Sequence, residues 1–186
     1  NEDNYYLQKF TRAVLGTNNI DNCTRLCHSS SVAALGMTIG TGAFTNSLDE
    51  IAENDVIYVT GSNTTETHPI TALKIKKAVN KGAKLIVADP RAIELTKFAD
   101  VHLQFRTGTD VPLYNALLHC IVRDSTYDSE FVEARVHGFD EVASVVAGHT
   151  PEYAESITGV PASTIEEAAT IIGSAGKTAF YWGIGI

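Results

Sequence analysis

Four short apolar runs, each closing on a polar loop and separated from the next by helical sequence, constrain this chain more than any other feature. They are "DVIYVTG" (55–61), "AKLIVADP" (83–90), "VHLQF" (101–105) and "KTAFYWG" (177–183). β-Branched and aromatic residues fill them without strict alternation, the pattern of strands buried on both faces. Between the first two lies "PITALKIKKAVNKG". Pro69 suits a first helical turn, Ile70, Leu73 and Val79 supply an apolar face, and Gly82 ends it. A short helix is expected over "AIELTKFA", an amphipathic one from Asp110 along "DVPLYNALLHCIVRD", and a last one over "PASTIEEAATIIGSA" started by Pro161. Strand and helix in alternation predict an α/β fold, a parallel sheet with helices on both faces. Residues 1–48 read as a helical and loop segment leading into it, and 49–186 as the sheet domain.

In such sheets ligands sit outside the carboxyl ends of the strands. That rule selects "GSNTTETHP", "DPRA", "RTGTD" and "GIGI". In the first, Gly61 allows close backbone approach, and Ser62, Asn63, Thr64 and Thr65 offer hydroxyl, amide and N–H groups. With a helix starting near Pro69, these groups suit a pyrophosphate. The loop has neither G-x-G-x-x-G nor a P-loop, so ordinary dinucleotide and nucleotide-triphosphate motifs are absent. The plain alternative is a surface loop with a capping threonine. In the second, Asp89 can accept from a ribose hydroxyl and Arg91 can reach a phosphate, or the pair is a turn with a surface arginine. In the third, Asp110 is either an N-cap or a carboxylate for the two donors of a guanine edge.

A net charge of −8 argues against a general nucleic-acid binder, because phosphates need a basic face. It leaves room for a local basic pocket. No apolar run reaches membrane-spanning length. The chain starts without Met and stops just after a strand, so a longer polypeptide is expected. Three cysteines do not make a disulfide framework. Cys23 and Cys27 are four apart, on one face if helical. With His28 they could supply zinc ligands, but no fourth ligand falls at a zinc-finger spacing. A Cys27–His28 nucleophile pair is awkward on a helix, where neighbours point about 100° apart. One soft thiolate on a redox metal is a further reading, and a buried small hydrophobe the plain one. Cys120, among Leu117, Leu118 and Ile121, reads as core.

Read together, "CTRLCHSSSVAALG", "GTGAFTNSLDEI", "VTGSNTTETHPI", "VADPRAIELTKFADVHLQFRTGTD" and "YDSEFVEARVHGFDEV" give the chain a resemblance along its whole length. It resembles the molybdopterin oxidoreductases, most of all the catalytic alpha subunits of molybdenum- or tungsten-dependent formate dehydrogenases. The resemblance implies a Rossmann-like three-layer sheet that binds molybdopterin guanine dinucleotide. It implies a molybdenum or tungsten bis-molybdopterin guanine dinucleotide cofactor, with Cys27 as the one protein ligand of the metal. His28 matches the histidine that follows the ligand in formate dehydrogenases, where related nitrate reductases usually carry Met. Cys23 falls where relatives line the cofactor. Gly61, Ser62, Asn63, Thr64 and Glu66, with His68 at the end, match the dinucleotide loop. Asp89, Pro90 and Arg91 match the second strand end, and Gly108, Thr109 and Asp110 a guanine-recognition turn.

The implied catalytic pair is Cys27 and His28, with formate as substrate and electrons leaving through a 4Fe-4S cluster. The family's cluster cysteines precede this segment and its active-site arginine follows it, so the segment alone is expected to be inactive. Electron-transfer subunits are the expected partners, and the cytoplasm the expected compartment, with the periplasm left open. A ligating thiolate calls for nearby positive charge to lower its pKa. The competing readings are a nitrate reductase, a non-catalytic nucleotide-binding module as in some respiratory complex I subunits, and a thiol hydrolase.

Overall fold

The computed structural model describes residues 2–184 and 186. They form two compact units, Asn1–Ala43 with Ile184–Ile186, and Phe44–Gly183. The first holds α1 (Glu2–Ala13), α2 (Thr24–Cys27) and α3 (Ser29–Thr38).

The second unit runs β1 (Val56–Thr60), α4 (Thr64–Thr67), α5 (Pro69–Val79), β2 (Lys84–Ala88), β3 (Val101–Leu103), α6 (Asp110–Arg123), α7 (Ser129–Arg135), α8 (Phe139–Val146), α9 (Pro151–Thr158), α10 (Ala162–Gly173) and β4 (Thr178–Trp182). The strands make one sheet in the order β3-β2-β1-β4. Every pairing is parallel, with Val56 opposite both Lys84 and Thr178, and Ile86 opposite Val101. The parallel α/β expectation is met. Each parallel step needs a crossover, and the connecting segments cover β1, β2 and β3, whereas β4, expected to be buried on both faces, is partly exposed at the sheet edge, with Phe180 51% exposed.

Successive side chains of each strand point to opposite faces, so the continuous apolar runs feed two cores. Val56, Tyr58, Ile86, Ala88, Val101 and Leu103 pack with Leu113, Ala116 and Leu117 of α6 and Ile165 and Ala168 of α10. On the other face Ile57, Val59, Leu85 and Val87 pack with Ile75 and Ala78 of α5, and with Ile51 and Leu95. Each fully buried Leu, Ile or Val contributes about 1.5–3 kcal/mol relative to exposure. Cys120, 2% exposed, is a core residue as its neighbours predict.

Four local expectations are corrected. The inward face of α5 is Ala72, Ile75 and Ala78, while Ile70 and Leu73 are exposed. Apolar residues at 70, 72, 73, 75, 78 and 79 outline two overlapping stripes, and the small alanines let one of them approach the sheet closely. β3 stops at Leu103, because only Ile86, Val87 and Ala88 of β2 pair with it. "AIELTKFA" forms a five-residue 3₁₀ turn, Glu94–Phe98, that buries Leu95. "GSNTTETHP" is not wholly loop, since Thr64–Thr67 turns once as α4 before α5 begins.

Candidate functional site

Strand order decides where a ligand fits. From β1 the chain steps to β2 and β3 on one side and returns as β4 on the other, so the switch point lies between β1 and β4. Open α/β sheets bind ligands in that crevice, outside the carboxyl ends. Two glycines meet there. Gly61 has φ +55, a left-handed backbone that costs a glycine little. Gly183 donates its N–H to Thr60 O at 3.2 Å. A Cβ on Gly183 would collide with the Gly61 carbonyl oxygen, a backbone atom with nowhere to move. "GIGI" was singled out as a strand end, but this contact rests on strand order and no local signal announces it.

The loop after β1 is tied to itself. Ser62 and Thr64 hydroxyls pair at 3.1 Å, and Thr65 Oγ1 donates to Asn63 Oδ1 at 3.1 Å. Asn63 O accepts from the N–H groups of Glu66 and Thr67, both at 3.0 Å. Thr64 is buried in this network, Ser62 and Asn63 are half-buried, and Glu66 and His68 are exposed. The loop therefore holds its own shape while presenting Gly61, Ser62, Asn63, Glu66 and His68 outward.

At the end of β2, Asp89 is 3% exposed and its Oδ1 accepts the Arg91 N–H at 2.8 Å. The carboxylate thus shapes the turn that carries Pro90 and Arg91, and the Arg91 side chain stays exposed with Nε 3.7 Å from Asp89. Two residues overlooked in the sequence hold this turn from below. His102 Nε2 donates to Asp89 O, and Gln104 Nε2 to Pro90 O, each at 3.0 Å. Their signal was available as two polar residues spaced by two within an otherwise apolar run.

After β3, Gly108 adopts φ +81, and Thr109 Oγ1 donates to Arg106 O at 2.6 Å. Thr109 occupies the cap position, so Asp110 is the first residue of α6 and not its N-cap. One turn on, Tyr114 OH and Thr60 Oγ1 pair at 2.6 Å, tying α6 to the end of β1. Tyr58 OH is buried beside them, with no hydrogen-bond partner in good geometry among the described residues. Burial, then Tyr114 and the Asp110 charge, push the Tyr58 hydroxyl well above its ordinary value. These three strand ends therefore lie along one edge of one sheet.

In the other unit, α2 ends at Cys27, and His28 leaves the helix with φ −134 and ψ 23 before α3 begins. That break removes the obstacle foreseen for neighbours on a continuous helix. Cys27 Sγ lies 2.9 Å from His28 Nδ1, and both residues are half-buried. Cys23 is exposed and lies one turn earlier, with the Cys27 N–H on its carbonyl at 3.1 Å. Burial, then the neighbouring Cys23 thiol, push the Cys27 thiol above its ordinary value. The lowering expected from nearby positive charge is not seen, and Arg25 is instead paired with Asp21 at 2.7 Å.

Among the described residues no cluster of three or more His, Cys, Asp or Glu could cage a metal. A single soft sulfur donor fits a metal whose remaining ligands come from an organic cofactor, and does not fit a structural zinc site. The close glycine contact and the polar strand ends suit a nucleotide.

Comparison with known proteins gives a consistent picture. The molybdopterin oxidoreductase family model matches residues 1–186. Formate dehydrogenase H of Escherichia coli is 45% identical over all of this chain, which covers 26% of that protein. The F420-dependent formate dehydrogenase 1 subunit alpha of Methanococcus maripaludis is 44% identical over the whole chain, which covers 28% of it. Among solved structures, acetylene hydratase of Pelobacter acetylenicus superposes with a TM-score of 0.79 at 27% identity, over 96% of this chain and 24% of that one. The chain thus spans about a quarter of the length of these relatives.

Proposed function

The chain belongs to the molybdopterin oxidoreductase family, and on that premise we propose that its full-length protein oxidises formate to carbon dioxide. The reaction releases one proton and two electrons. A molybdenum or tungsten bis-molybdopterin guanine dinucleotide group would supply the two-electron redox centre when bound. This chain's residues would hold and serve it. Cys27 Sγ is the protein ligand to the metal. His28, in contact with that sulfur through Nδ1 at 2.9 Å, orients formate and handles the released proton. Gly61, Ser62, Asn63, Thr64, Glu66 and His68 carry one dinucleotide arm. Asp89, Pro90 and Arg91 approach its ribose and phosphates, and Gly108, Thr109 and Asp110 receive the guanine. Cys23 lines the cofactor cavity.

A 4Fe-4S cluster held outside this chain, with electron-transfer subunits, would accept the two electrons, and the expected compartment is the cytoplasm, with the periplasm as the alternative. No helix among the described residues is long and apolar enough to cross a membrane.

The Cys27–His28 contact carries the proposal, because it joins a soft metal donor to a proton carrier. Its test is metal analysis and formate turnover of the full-length protein and its Cys27→Ser variant. The variant is expected to lose at least about a hundredfold in turnover, the scale of a lost activated group. Unchanged formate oxidation would sink the ligand assignment, and nitrate reduction without formate turnover would replace the substrate.

A further inference from the structure

Cys23 is left without chemistry of its own by the reading of Cys27 as ligand. We propose that Cys23 and Cys27 form a reversible disulfide in the cofactor-free protein, which takes the Cys27 sulfur out of reach of a metal until it is reduced. The metal consequence rests on the ligand reading, whereas the disulfide itself does not.

The geometry is local. Cys23 has helical φ −49 and ψ −38, and the Cys27 N–H donates to its carbonyl at 3.1 Å. One complete turn separates them, so the side chains share a face. Both are free thiols, Cys23 exposed and Cys27 half-buried. Four residues of helix rise about 6 Å, within the Cα separation that a disulfide accepts. Cβ atoms at this spacing lie about 5–6 Å apart, wider than a relaxed disulfide prefers, so bond formation must tighten the turn. α2 is suited to that adjustment. It is four residues long and ends at Cys27, with His28 already outside it, so no longer helix has to bend with it. A disulfide closed under strain is readily reduced, as a reversible one must be.

A small disulfide such as oxidised glutathione is sufficient oxidant. The exposed Cys23 sulfur attacks it, forming a mixed disulfide and releasing one thiol. Cys27 then attacks the Cys23 sulfur and releases the second thiol. One disulfide bond breaks and one forms, and the two protein thiols lose two electrons to the reagent. Their two protons end on the released thiols. Held this way, Cys27 is also protected from irreversible oxidation to the sulfinic acid.

The experiment uses full-length protein purified without cofactor, equilibrated in glutathione buffers of stepped redox ratio, then quenched in acid, alkylated under denaturing conditions and digested with trypsin. Arg25 lies between the two cysteines, so cleavage separates peptides 13–25 and 26–74 unless a disulfide joins them. The expected result is a joined pair that dithiothreitol releases, with the core residue Cys120 alkylated throughout as an internal control. Cys23→Ser abolishes the pair. Recovery of Cys23 and Cys27 as free thiols or as separate glutathione adducts overturns the proposal. Metal loading of the oxidised protein is expected to fall at least tenfold and to return after reduction. A joined pair without that fall sinks the ligand role of Cys27 and with it the proposed effect on metal. An absent pair, in a protein whose Cys27→Ser variant loses metal, sinks the disulfide and spares the ligand.

Discussion

At the scale of the residue, the site depends on positions where one atom more or less decides the outcome. Gly183 is the sharpest. The Gly61 carbonyl and Ser62 Cα leave no room for a methyl group, and neither is the end of a flexible side chain. Gly183→Ala is expected to force the two strand ends apart, costing about 1–3 kcal/mol as overpacking does. Full-length protein should show both a lower denaturation midpoint and a lower pterin content. Gly36→Ala is the control, because it lies inside α3 and, among the described residues, nothing beyond its own helix backbone comes within 4 Å of its Cβ. There alanine should raise stability by up to about 1 kcal/mol. Equal effects at both glycines would refute the crowding argument. Cys27 and His28 make the complementary point. Their residue types were legible, but their contact required the backbone to leave the helix between them, and no propensity in "TRLCHSSS" marks that break.

At the scale of the element, the helices were easy to locate and harder to orient. α5 starts at Pro69 as its sequence predicts, but its six apolar residues exceed one face, and the side that meets the sheet is Ala72, Ile75 and Ala78. The structure makes Ile75 the anchor, fully buried between β1 and β2 residues, and leaves Leu73 61% exposed. Ile75→Ala should therefore cost about 2–5 kcal/mol, a buried truncation with its cavity. Leu73→Ala should fall within about 0.5 kcal/mol. Urea titrations of the two variants compare them directly, and a Leu73 cost as large as that of Ile75 would show that a further segment covers this side. The strand ends behave alike. Polar loops were located correctly from "GSN", "DPR" and "GTD". The supports beneath them, His102, Gln104 and the Thr60–Tyr114 pair, became visible only when β3 and α6 were placed.

At the scale of the whole molecule, an acidic chain must remain folded against its own charge, and its carboxylates set the acid limit. Burial raises the Asp100 carboxyl, but hydrogen bonds from Lys84 Nζ at 2.7 Å and the Leu85 N–H at 2.9 Å, with the Lys84 charge, outweigh burial and hold it below its ordinary 3.8. A depressed carboxyl pKa contributes stability that is complete above the unfolded value and disappears as pH falls through the folded one. The Asp100 contribution should thus be constant from neutral pH down to about 4 and vanish below the folded pKa. Asp100→Asn should lower the urea midpoint at pH 7 and narrow its difference from wild type by pH 2.5. A difference that persists undiminished at pH 2.5 would show that the carboxylate charge is not what ties β2 to the start of β3.

Local pattern alone determined the parallel α/β class, the three polar strand ends, the core position of Cys120 and the cysteine–histidine motif. Each is written in residues adjacent in sequence, where periodicity and turn chemistry act. Tertiary structure decided that β4 returns beside β1, that Gly61 and Gly183 close the resulting crevice, which stripe of α5 faces the sheet, and that His102 and Gln104 brace the Asp89 turn. These depend on contacts between segments distant in sequence, Gly183 with Gly61 above all. Strand order is chosen by the burial of two whole sheet faces at once, a quantity that no single window of sequence contains.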